Sequence, residues 1–200
     1  MVKVSRLNHS SFLIEGTKNI FIDPYNIKTS VKADYIFITH PHFDHCSIED
    51  IKRVRKKDTV VVMPNMGNAK RIAKNCVKLR PWQEFSSDDI AVRAVPSYNI
   101  EKQYHPKANG WLGFVITLDG ENIYHAGDTD LIEEMKFLKE ITYALLPVSG
   151  NYTMDADSAA SAAEIIKPKV AIPMHYGGIV GGIKDAKRFK ELCSCAVDIL

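Results

Sequence analysis

Apolar positions in the first third of the chain fall in short runs rich in β-branched and aromatic residues: "VKVSRL", "SFLIE", "NIFID" and "DYIFIT". Turn formers such as Gly16 and "DPYN" separate them, so each run predicts a strand. "TVVVMP" predicts a further, buried strand, and "IAVRAVP", "WLGFVITL" and "ENIYHAG" three more. The last two are joined by Asp119-Gly120, a pair that favours a tight hairpin. "YALLPV" and "KVAIPM" extend the series.

Helical patterns interrupt the later strands. "SIEDIKRVRK" begins at Ser47, a plausible N-cap, and Asp50 three residues on completes a capping-box pattern. "GNAKRIAKN" predicts a short helix, and "DLIEEMKFLKE" and "IKDAKRFKELC" longer ones. "DADSAASAAEIIKP" is alanine-rich with an acidic first turn, and Pro168 ends it. Strands first, then strands alternating with helices, indicate an α/β layered domain in which helices cover sheets. No repeat of the 20–50-residue kind and no low-complexity linker divides the 200 residues, so one domain over 1–200 is expected.

Composition changes this picture little. Hydrophobic residues make up 46% and charged residues 25%, an ordinary globular balance. The net charge of +2 gives no electrostatic footprint for nucleic acid. The densest basic run, "KRVRKKD" at 52–58, is expected to be a solvated helix face. The start of the chain lacks the apolar region and cleavage site of a signal peptide. No run of about 18 apolar residues predicts a membrane span. The four cysteines, Cys46, Cys76, Cys193 and Cys195, show neither C-x-x-C nor disulfide-framework spacing. Reduced thiols in the cytoplasm are therefore the expectation, with Cys46 a small buried side chain rather than a ligand.

The chemistry is concentrated in "THPHFDHCS", Thr39 to Ser47, directly after the strand "ADYIFIT". His40, His42, Asp44 and His45 are good ligands for zinc and related divalent ions. Crowded together, protonated imidazoles repel one another, and a metal resolves this by holding neutral imidazole beside ionised carboxylate. One short loop cannot easily close four ligands around a single ion, and Asp44 and His45 are better placed to reach a second. Asp128 in "YHAGDTD" and His175 in "AIPMHYGG" follow strands and are candidates to complete a two-metal site.

Taken in order, "NHSSFLIEG", "IFIDPY", "THPHFDH", "YHAGDTD", "ALLPVSGNYTMD" and "KPKVAIPMHYGG" cover nearly the whole chain. In this combination the chain resembles the metallo-β-lactamase-fold hydrolase superfamily, and more narrowly its ascorbate-6-phosphate lactonase-like branch. The resemblance implies an α/β fold, a four-layer αβ/βα sandwich with a dinuclear site at one edge of two sheets. It implies His40 and His42 on a first metal, Asp44, His45 and His175 on a second, and Asp128 bridging both.

The chain departs from that pattern at one point. The superfamily supplies a further histidine to the first metal from a mid-chain loop, and the matching position is Asn99. Asparagine is a weaker ligand, so a weakened first site is expected unless His105, six residues on, reaches in. His9 matches a histidine near the metals and is assigned to orienting substrate or water. Asp23 is either a partner fixing the tautomer of a ligand imidazole or an Asp-Pro turn residue. His125 is expected to be packed rather than a ligand. Tyr98, Trp111, Tyr152 and Tyr176 fall on loops near the ligands.

These readings imply a hydrolase using two divalent ions, zinc first, with manganese and iron also fitting. Its nucleophile would be hydroxide on the metal, formed at neutral pH because the pKa of bound water falls from 15.7 to about 7. The target is an ester, lactone or amide of a small molecule, with Asp44 and His9 catalytic. The same centre would serve a phosphodiesterase. A non-hydrolytic metal-binding or di-iron redox protein is the reading from another class. A small-molecule substrate is the expected partner, with no nucleic acid and no membrane, and a homo-oligomer is left open.

Overall fold

A computed structural model describes residues 2–66 and 72–200. Two sheets face each other. The first has the order β1 (Lys3–Asn8), β2 (Ser11–Glu15), β3 (Asn19–Ile22), β4 (Ala33–Phe37), β5 (Arg55–Pro64) and β6 (Cys76–Leu79). Its first three strands run antiparallel, and β3 to β6 are parallel. The second sheet holds β7 (Glu84–Ser86), β8 (Ala91–Pro96), β9 (Leu112–Leu118), β10 (Glu121–His125), β11 (Tyr143–Pro147), β12 (Val170–Met174) and β13 (Ala196–Val197) in sequential neighbour order.

Alternation along the strands builds the layers. Phe12, Ile14, Ile20, Ile22 and Phe37 point between the sheets, where Phe37 meets Phe114 with ring centres 5.1 Å apart. Leu13, Phe21 and Ile36 point outward onto Ile51 and Val54 of α1 (Ile48–Val54). On the far side, α2 (Ala156–Ile166) and α3 (Ile183–Leu192) cover the second sheet with the alanines of α2 and with Ala186 and Phe189. The small alanine face lets α2 lie close to the sheet. This is the expected four-layer α/β sandwich.

Local signals explain most element boundaries. Asp119 and Gly120 both take positive φ (50° and 77°), as the hairpin turn between β9 and β10 requires. Asp155 caps α2 by accepting from Ser158 N, and Lys167 closes it in a left-handed conformation before Pro168. Ser47 caps α1, but the capping box is incomplete. The buried Asp50 carboxylate instead accepts from Asn26 N (2.8 Å) and Arg53 Nη1 (2.9 Å).

Two expectations are corrected, and a third lies largely outside the described residues. The run 52–58 is not one helix face: α1 ends at Val54, and Arg55 onward enters β5, where Lys56 pairs with Asp34 at 2.6 Å. The segment 130–140 forms only a 3₁₀ turn over Glu133–Phe137. Its start is pulled out of helical geometry because the Asp130 carboxylate takes Ile100 N and Lys102 Nζ, and Ile132 is extended (ψ 150°). The short helix expected at 67–75 falls largely on residues 67–71, outside the described ones.

Candidate metal centre

The parallel strands β3, β4, β10 and β12 deliver their following residues to one edge of the sandwich, where α/β sheets usually assemble sites. Asp23 follows β3, His40 to His45 follow β4, Asp128 follows β10 and His175 follows β12. His9 sits in the turn between β1 and β2. His9, Asp23 and His175 all have left-handed backbones (φ 39°, 46° and 60°), a strained conformation that concentrates at functional sites. His175 N donates to His9 O (3.1 Å), locking two of these corners together.

Hydrogen bonds assign the tautomers of the buried histidines. Thr39 Oγ1 donates to Asp23 Oδ2 (2.6 Å), so its lone pairs accept from His40 Nδ1 (2.9 Å). His45 Nδ1 donates to Asp23 Oδ2 (2.7 Å) and His105 Nδ1 to Asn99 Oδ1 (2.8 Å). Ser149 Oγ lies 2.9 Å from His175 Nδ1. With Nδ1 anchored in this way, each ring turns its Nε2 inward. Those nitrogens surround the Asp128 carboxylate: His175 at 3.0 Å, His105 at 3.4 Å and His40 at 3.9 Å from Oδ2, and His45 at 3.3 Å from Oδ1. His42 Nδ1 lies 3.0 Å from His40 Nε2.

The ligand-type atoms fall into groups whose members lie within 4.8 Å of one another. One is His40, His42 and His105, another His45, Asp128 and His175, and a third His9, Asp44 and His175. Asp23 groups with His40 and His45, but its oxygens are taken up by Thr39 and His45. Asp44 Oδ2 lies 3.6 Å from His9 Nε2 and 3.8 Å from His45 Nε2.

The donors fit a metal. Asp128 Oδ1, His45 Nε2 and His105 Nε2 are buried without a hydrogen-bond partner, as are both ring nitrogens of His9. Orphaned buried polar atoms are costly and need an explanation. Convergent imidazole and carboxylate donors with anchored far sides are a metal-binding arrangement.

Charges are arranged accordingly. Burial pushes His40 well below its ordinary pKa, and the neighbouring His45 charge lowers it further, so it is neutral. Burial opposes charge on His45, but the Asp128 and Asp23 carboxylates overcome it and hold His45 well above the ordinary value. Burial opposes ionisation of Asp128, yet His175 and His45 keep it well below the usual carboxylate range. Asp44 is likewise lowered: burial acts upward, and His9 and His45 act more strongly downward.

The sequence-selected residues thus come together with one exchange. Asn99 Nδ2 donates to Tyr152 O (2.9 Å), and its oxygen receives both His105 N (3.1 Å) and the His105 ring. His105, rather than Asn99, faces the centre. His125 is packed and saturated, its Nε2 donating to Ser10 O (3.0 Å) and its Nδ1 accepting from Gly127 N (3.1 Å). Cys46 stays protonated, since burial and the Asp23 charge push its pKa up to about 12. Of the aromatic residues, Trp111 packs on His40 and His42, Tyr152 lines the pocket, and Tyr176 stacks under Arg6. Tyr98 turns away to Glu134. Sequence reasoning missed Thr39 and Ser149, whose roles depend on long-range contacts, and Arg6, which donates to His9 O (2.9 Å) and Tyr176 O.

No helix among the described residues is long and apolar enough to cross a membrane. The chain matches the Beta-lactamase superfamily domain over residues 3–175. It is 32% identical to a UPF0173 metal-dependent hydrolase of Thermococcus kodakarensis, over 100% of this chain and 96% of the relative. Among solved structures, a Parabacteroides distasonis protein superposes with a TM-score of 0.88 at 34% identity, covering 99% of this chain and 92% of that one. A metallo hydrolase from the hyperthermophilic archaeon Ignicoccus hospitalis gives 0.80 at 26% identity, covering 100% and 94%. The chain therefore belongs to the UPF0173 metal-dependent hydrolases of the beta-lactamase superfamily.

Proposed function

We propose that this hydrolase uses two divalent ions, zinc first among them, to cleave an ester, lactone or amide bond of a small molecule. The observation that carries the reading is the shared anchoring: His40, His45, His105 and His175 are each held through Nδ1 and aim Nε2 at the buried Asp128 carboxylate. His40, His42 and His105 would hold one ion, Asp44, His45 and His175 the other, and Asp128 both. Bound there, the ions would supply a Lewis acid for the substrate oxygen and a water acidified to near-neutral pKa.

The chain's own groups do the rest. Asp44, ionised and open to the pocket, accepts a hydrogen bond from the attacking water and so points its lone pair at the carbonyl carbon. Burial keeps His9 neutral, and its Nε2 stands 3.6 Å from Asp44 Oδ2, where a proton taken up by the carboxylate can be shared. Trp111 shields the His40, His42 and His105 face from water, which strengthens the fields inside.

A substrate panel on zinc-, manganese- and iron-loaded protein tests this. Turnover of an ester, lactone or amide is expected, abolished by chelation and restored by the ion. Turnover of bis-p-nitrophenyl phosphate alone would overturn the bond class in favour of a phosphodiesterase. No turnover of any member would overturn the hydrolytic reading.

A further inference from the structure

Above the Asp44, His105, Asp128 and His175 side chains opens a cavity of about 320 Å³, at the small end of the roughly 300–1,000 Å³ typical of ligand pockets. Its walls are Phe43, Tyr104, Tyr152, Ile179 and Val180. Phe43 is 65% exposed, Tyr104 54% and Ile179 43%. They come from three separate loops: the ligand loop after β4, the segment between β8 and β9, and the segment after His175. Two of the rings are braced edge-on, Tyr104 by Tyr152 (4.7 Å) and Phe43 by Tyr25 (5.7 Å). Large apolar groups held in water around a polar floor mark a surface that a ligand covers.

The charges point the same way. Among the described residues no lysine or arginine lines this cavity. Lys102 and Lys107, on the same segment as Tyr104, are turned to Asp130 (2.5 Å) and Glu134 (2.9 Å). The floor carboxylates of Asp44 and Asp128 would be taken up by the ions. An anionic group held against these walls, away from the ions, loses its hydration and gains no cationic side chain in return. A phosphate group seated on these walls finds no lysine or arginine there.

We propose that the substrate carries an uncharged apolar group beside the bond to be cleaved, and that Phe43, Tyr104 and Ile179 select it. This rests on the reading of the centre as a hydrolytic metal site. The group is small, a short alkyl chain or one ring, because the cavity is.

Calorimetric binding of hydroxamates to the zinc-loaded protein separates the two. The hydroxamate oxygens bind metal and the tail reports the walls, with no turnover needed. From acetohydroxamate to hexanohydroxamate, affinity is expected to rise about fourfold per methylene, the value of burying one CH₂. Succinic monohydroxamate is expected to bind at least about tenfold more weakly than valerohydroxamate, its uncharged counterpart in size. Phe43→Ser and Tyr104→Ser, both at exposed positions, are each expected to bring the gain below about twofold per methylene. An affinity independent of chain length, or an anionic tail bound as tightly as the uncharged one, would overturn the substrate class while leaving the metal site intact. Failure of every hydroxamate, acetohydroxamate included, on protein shown to hold zinc would overturn the hydrolytic site itself.

Discussion

Replacing Asp23 by asparagine tests whether the tautomers, and not merely the ligand types, build the centre. One carboxylate oxygen of the fully buried Asp23 accepts from Thr39 N (2.8 Å). The other accepts from both Thr39 Oγ1 (2.6 Å) and His45 Nδ1 (2.7 Å). Asparagine is nearly isosteric but carries two donors where one oxygen stood. If its NH₂ faces His45, Nδ1 must become an acceptor and the proton moves to Nε2, the atom meant for metal. If the amide flips, the NH₂ faces Thr39 N–H, donor against donor in a buried site. Neither orientation is free of cost. Loss of a partner of this kind lowers metal affinity about 10- to 100-fold, equivalent to about 1.4–2.8 kcal/mol. In chelator, the lost charge-assisted bonds should cost about 1.5–3 kcal/mol of stability, a fall in Tm of roughly 3–12 °C for a chain of this size. Zinc competition against a chromophoric chelator, paired with thermal melts in EDTA, reads both. A Tm that falls while zinc affinity stays within twofold of wild type would refute the tautomer argument and leave Asp23 a structural residue.

Other outcomes follow from the same geometry. Because the Asp128 and Asp23 carboxylates raise His45 against its burial, metal binding near pH 7 must displace a proton from it, whereas the depressed His40 releases none. Zinc affinity should therefore rise with pH, by about tenfold per unit for as long as His45 stays charged, measured by competition at each pH; a flat profile would count against it. In chelator the sign reverses: stability from the raised His45 pKa is fully present below its ordinary value of 6.5 and lost as pH rises through the folded value, so melts should weaken into mild alkali. His105→Ala should remove a ligand and cost the centre about one ion per chain, whereas Asn99→Ala, which only frees the ring, should weaken zinc about tenfold; metal analysis and competition distinguish them. At Gly127, φ is 66° and an added Cβ would meet Leu112 O and Ser97 Oγ, both at 2.9 Å. Gly127→Ala should thus lose about 2–5 kcal/mol by denaturant melts.

The core of the site was legible because its signals are local. Three histidines and a carboxylate within six residues after an apolar run, and Asp128 and His175 each just past a strand, need no knowledge of tertiary structure. His105 was named as the residue that could replace Asn99, but which of the two faces the centre was not legible, because it depends on a bridge within the loop. Asn99 N bonds His105 O (2.8 Å) and Asn99 Oδ1 takes the His105 ring, which turns the histidine inward. Thr39 and Ser149 were missed for a similar reason: a hydroxyl becomes a tautomer anchor only when a partner arrives, from Asp23 sixteen residues away or His175 twenty-six residues away. Ten of the strands were read from the hydrophobic pattern, but the short β6, β7 and β13 were not, nor was the division between two sheets, since pairing is a long-range property. Asp130 shows the limit of helical patterning, because its ties to Ile100 and Lys102 override the local preference of 130–140. Of the apolar pocket walls only Tyr152 was picked out in the sequence, by its place near the ligands; Phe43 and Ile179 read as ordinary hydrophobic residues until their exposure is seen.

Metal content per chain most directly tests the account that two ions sit around Asp128. Elemental analysis should be run on protein purified without chelator, and again after reconstitution with zinc, manganese or iron. The account predicts close to two ions per chain, falling to about one in His105→Ala. A wild-type value that stays at one would contradict the bridging role of Asp128, and no bound metal after reconstitution would contradict the centre altogether.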